Sequence, residues 1–138
     1  MLKLDVSFWP VLLAATIYMV VGFVWYSRLF TKQWRKAIGI TKEELGKDKK
    51  DGMGGTYFKN FIAALVMAYV LGVVIESIGV GTLLSGAFIG FLMWAGFVAS
   101  TDILPVLYEK RSMMLVKINT GFSLTGLMIM GALLAIWL

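Results

Sequence analysis

Between Val6 and Ser27 the chain runs without a single charged side chain. As a helix, that run covers roughly 30 Å, the hydrocarbon thickness of a bilayer. Three further runs of similar length follow: Tyr57 to Ile78, Thr82 to Leu107 and Met113 to Leu138. Their lengths exceed the roughly 9–11 residues of a barrel strand, and none alternates with period two. The expected fold is an all-α membrane protein. Its single domain spans 1–138, with four transmembrane helices at about 6–29, 57–78, 82–107 and 113–138. A basic amphipathic link covers 30–56.

Composition supports this reading. Hydrophobic residues make up 59% and charged residues 15% of the chain, and so short a soluble domain has too little polar surface to cover so much apolar area. The first run is expected to stay in the mature protein. It is longer than the roughly 7–15 residues of a signal h-region, and Trp25-Tyr26 makes a poor cleavage site. Trp9, Trp25, Tyr26 and Trp137 lie at run ends, as interface anchors do, and Trp34 in the link joins them.

Thirteen Lys and Arg face eight acids, for a net charge of +5. Nine of the thirteen lie from Arg28 to Lys59, and Lys110 and Arg111 follow in the link between runs three and four. With four spans both links share one side. The positive-inside bias makes that side cytoplasmic and puts both termini outside the cell (inner) membrane. The expected partners of the basic link are the bilayer and its anionic headgroups, not nucleic acid. Within it, Phe30, Trp34 and Ile38 recur at i, i+4 and i+8, as on an interfacial helix. Thr41-Lys42-Glu43-Glu44 matches a capping box, and Gly46 to Gly55 reads as a mobile polar stretch.

Cys and His are both absent. Thiolate nucleophiles, Cys/His metal sites and histidine bases are excluded. Gly52-Met53-Gly54-Gly55 lacks the lysine of a phosphate loop. No catalytic residue, metal or cofactor is implied.

Helices in lipid associate through small residues and polar contacts. Small residues recur at four-residue spacing in Ala64, Ala68 and Gly72, in Gly86 and Gly90, in Gly96 and Ser100, in Gly121 and Thr125, and in Gly131 and Ala135. This abundance suggests a homo-oligomer, unless every ridge is used within one protomer. Ionisable residues at membrane depth point to function by default. Asp102 and Lys117 qualify, flanking the last link at similar depth. Pro105 removes a helical bond and is expected to kink the third helix. The candidate polar cluster is Ser100, Thr101, Asp102, Lys117, Asn119 and Ser123. It reads either as an Asp102–Lys117 ion pair fixing a hairpin or as a site for a cation, proton or small solute.

Several short pieces occur in a fixed order. They are Trp25-Tyr26-Ser27, Trp34, Trp94 with Gly96-Phe97, Tyr108-Glu109 with Arg111, Ile118-Asn119 with Gly121, and Gly131 with Trp137. In this the chain resembles an uncharacterised family of small bacterial and archaeal four-helix membrane proteins, a domain of unknown function. The resemblance implies a fold and a membrane location, and no activity or ligand. The functional expectation is a non-enzymatic scaffold or accessory subunit. The alternative is a small transporter or channel using Asp102, Lys117 and Asn119.

Overall fold

A computed structural model describes residues 2–29, 32, 54–109 and 113–138. Expectations for Phe30, Trp34, Ile38, the Thr41 capping box and the 46–53 stretch fall outside these residues, as do Lys110 and Arg111. All secondary structure described is helical: α1 Phe8–Val24, α2 Gly54–Ile78, α3 Leu83–Met93, α4 Ser100–Asp102, α5 Leu104–Glu109 and α6 Met113–Trp137. A π-helical segment, Trp25–Leu29, continues α1, and another, Trp94–Ala99, joins α3 to α4. The result is four apolar helical spans, Phe8–Leu29, Tyr57–Ile78, Leu83–Tyr108 and Met113–Trp137, each long enough to cross a membrane.

The span ends follow from local chemistry. Pro10 sits in the first turn of α1, where its missing N–H has no partner to lose. Helix α2 starts at Gly54, inside the stretch expected to be mobile. It ends at Gly79, whose φ of +85° suits only a residue without Cβ. The Gly79 N–H closes the turn on the Ile75 carbonyl at 2.9 Å. Thr82 then caps α3, its hydroxyl accepting from the Ser85 N–H at 3.1 Å.

Residues 2–7 are not helical and lie along α2. The Lys3 N–H donates to Ser77 Oγ at 2.8 Å, and the Tyr69 hydroxyl donates to the Leu4 carbonyl at 2.7 Å. Val6, expected inside the first helix, packs instead on Gly72.

Helix α6 is the hub and touches α1, α2 and α3. Its contact with α3 is backbone to backbone. A Cβ on Gly86 would lie 2.2 Å from the Gly131 carbonyl oxygen, and one on Gly90 would lie 2.3 Å from that of Leu127. Ala64 and Ala68 of α2 are fully buried with Ala14 and Ala15 of α1 and Met130 and Leu134 of α6. These residues fill the half of the bundle nearer the chain termini. The ridges through Ala64, Ala68, Gly72, Gly86, Gly90 and Gly131 are therefore spent inside the protomer. Gly96 is the exception, because nothing lies within 4 Å of where its Cβ would stand. Outward-facing Val20, Phe23, Val66, Val70, Leu84, Phe88, Leu92 and Phe97 are exposed. So continuous an apolar surface calls for lipid rather than water.

Candidate functional site

The polar residues collect in the other half of the bundle, near the links. Two π-helical turns frame this half, one in the first span and one in the third, and each opens on a tryptophan. A π turn holds one residue more than an α turn, and the surplus turns nearby side chains to new directions. In the third span the Ser100 hydroxyl donates to the Ala95 carbonyl at 2.9 Å, five residues back. In the first span the Ser27 hydroxyl donates to the Phe23 carbonyl.

Both tryptophans turn their indoles onto the same stretch of α6. Trp25 Nε1–H donates to the Ile118 carbonyl at 3.0 Å, and Trp94 Nε1–H to the Thr120 carbonyl at 2.9 Å. Carbonyls have a second lone pair, so they can take these bonds in addition to their helical ones. Between these two residues the Asn119 side chain accepts from the Tyr26 hydroxyl at 2.6 Å. Trp25 and Tyr26, expected as interface anchors, are half-buried and direct their polar groups into the bundle. Trp9 and Trp137 are exposed at the terminal end.

Glycines on facing helices receive the aromatic rings. Gly121 lies under Trp25, Gly22 under Phe122 and Gly126 under Tyr18. Phe122 sits between Tyr18 and Tyr26, with ring centroids 4.7 and 5.4 Å away. Tyr18 lies beside Ser123, whose own hydroxyl donates to the Asn119 carbonyl at 3.1 Å. Polar groups thus run from the link end to about 16 Å deep at Tyr18, counting helical rise from Leu29.

Asp102 lies about 9 Å from the link end of the third span. It is half-buried and accepts from Thr120 Oγ1 at 3.0 Å. The helical bonding is interrupted here. Ile103 is a turn and α5 starts at Leu104. Pro105 has no N–H for the Thr101 carbonyl. Val106, which an unbroken helix would bond to Asp102, donates to the Ile103 carbonyl at 3.1 Å. The interruption lies at Ile103, in the turn before Pro105.

The six residues grouped from sequence therefore divide. Asp102, Asn119 and Ser123 face the bundle. Ser100 and Thr101 are exposed, with their hydroxyls bonded to their own helix. Lys117 is exposed, and among the described residues no ion pair joins it to Asp102. Its long stem lets it reach headgroups instead. Thr120, three residues on, takes the place expected for Lys117. The sequence reading also missed Trp25, Tyr26 and Trp94 as members. Trp25 and Tyr26 stood out only as anchors, and Trp94 only as a piece of the family pattern.

Chemically, the cluster offers one carboxylate, several hydroxyls, an amide and indole donors. Among the described residues no group of three or more acids could hold a metal together. The family described as a protein of unknown function, DUF1761, matches residues 9–135. No curated protein and no solved structure matches the chain.

Proposed function

The chain belongs to the DUF1761 family, whose function is unknown, and we propose that it is a non-enzymatic accessory subunit of the cell (inner) membrane that binds at its link-end cluster. The supporting observation is the asymmetry of the interior. Ala14, Ala15, Ala64, Ala68, Met130 and Leu134 have no exposed surface and fill the terminal half. The polar groups end at Tyr18 and Thr125, near mid-membrane. A site built this way opens to one side only and gives a solute no way through the protomer. In this reading both termini lie outside and the basic link meets anionic headgroups in the cytoplasm. Copies of the chain associate through faces that the protomer leaves open, Gly96 among them.

A second reading, transport, is favoured by the broken third span, since discontinuous helices line many transporter sites. Reconstitution separates the two. Proteoliposomes holding the full chain are expected to pass sodium, potassium and protons no faster than empty ones. Flux above that background, abolished by Asp102→Asn in folded protein, would replace the subunit reading with the transport one.

A further inference from the structure

We propose that Asp102 and the interruption of the third span at Ile103 form a binding site for a small monovalent inorganic cation of the sodium class. The inference rests on the link-end cluster being the protein's binding site and adds what it takes.

Within the third span, Leu83–Tyr108, one turn residue, Ile103, separates Asp102 from α5. That turn takes the Val106 N–H for the Ile103 carbonyl and leaves the Asp102 carbonyl without the donor an unbroken helix would supply. Asp102 thus brings a carboxylate and a released carbonyl to one point inside a membrane span, where uncompensated charge is costly. Among the described residues no lysine or arginine answers it, because Lys117 is exposed and unpaired with Asp102. The compensation shown is one neutral hydroxyl, Thr120 Oγ1 at 3.0 Å. That hydroxyl keeps lone pairs of its own.

The donors are all oxygen: the Asp102 carboxylate, the Thr120 hydroxyl and the released main-chain carbonyl of Asp102. Such donors suit hard cations. One carboxylate balances one positive charge, whereas dedicated calcium sites bring several. Main-chain carbonyls released where a membrane helix is interrupted are a known way to coordinate sodium. The Trp94 indole on the Thr120 carbonyl and the Tyr26 hydroxyl on Asn119 hold the α6 side of the site in register.

The test is thermal unfolding of the full chain in detergent, with sodium chloride replaced stepwise by choline chloride at constant ionic strength. Sodium is expected to raise the midpoint in a saturable way, on the order of 5 °C at ten times the half-saturating concentration. Potassium acting in the same way also supports the site. Asp102→Asn should lose the response, and Lys117→Ala should keep it. If Asp102→Asn does not fold, Thr120→Val serves instead, and its half-saturating sodium concentration should rise several-fold. Equal midpoints in sodium, potassium and choline, or an Asp102→Asn variant that responds like wild type, would overturn the proposal. So would a midpoint that follows pH alone, which would put a proton where the ion is proposed. A missing sodium response leaves the subunit reading standing. Ion flux in the proteoliposome assay would sink that reading without touching the site.

Discussion

Thr120 shows how a partner is chosen inside a membrane helix pair. Asp102 could pair with an amine or with a hydroxyl on α6, and both lie within a turn of each other. Lys117 has four methylenes and can carry its charge out to water, so it gains little by staying inside. The Thr120 hydroxyl has no such reach and gains most from a partner in the bundle. Double-mutant cycles should therefore give a coupling of about 1 kcal/mol between Asp102→Ala and Thr120→Val. Asp102→Ala and Lys117→Ala should add with no coupling. The opposite result, coupling through Lys117 and additivity through Thr120, would restore the ion pair. Sequence could show that an acid and a base flank the last link at similar depth. It could not show the rotation of α6, which decides whether residue 117 or residue 120 faces the third span. Hydrophobicity gives that rotation no signal, because these helices are apolar nearly all round.

Among the elements, the α3–α6 pair is the closest contact and was the most legible in advance. Gly86, Gly90 and Gly131 stood out by four-residue spacing alone, and the structure brings carbonyls of α6 against the glycines of α3. Spacing could not say which ridges face a neighbour in the same chain. Gly96 has the same sequence signature and meets nothing within 4 Å. The two glycines should therefore respond oppositely to one added methyl. Gly86→Ala puts Cβ into the Gly131 carbonyl and Ala135, with backbone on one side that cannot move aside cheaply. It should cost about 1–3 kcal/mol. Gly96→Ala should be neutral or gain up to about 1 kcal/mol of helix propensity. Thermal unfolding in one detergent checks both, and equal losses at the two positions would show that Gly96 also sits in a contact. The π-helical turns, by contrast, left no mark in the sequence. Trp25 reads as an anchor because tryptophan near a span end usually is one, and Trp94 reads only as a piece of the family pattern. Their inward bonds to Ile118 and Thr120 depend on backbone turns that composition does not encode.

For the whole molecule, the decisive property is that one bundle has two interiors. Small and aliphatic residues pack without exposed surface toward the termini, while hydroxyls, an amide and a carboxylate line the half toward the links. Span lengths were readable because they depend on counting apolar residues against a fixed thickness. This division was not, since Tyr18, Ser123 and Asn119 are far apart in sequence or unremarkable alone. Water should enter only from the link side, and the absence of native cysteine makes that simple to measure. A thiol at Asn119 or Ser123 needs water nearby to ionise and react. Single cysteines there should label with a charged, membrane-impermeant thiol reagent added on the link side, and not on the other. Cysteines replacing Ala14 or Ala68 should stay unlabelled from both sides while the protein is folded, because neither residue exposes any surface. Labelling of Ala68→Cys from the terminal side would mean that the apolar half opens. The link-end cluster would then belong to a pathway across the membrane, with the dry half as its gate.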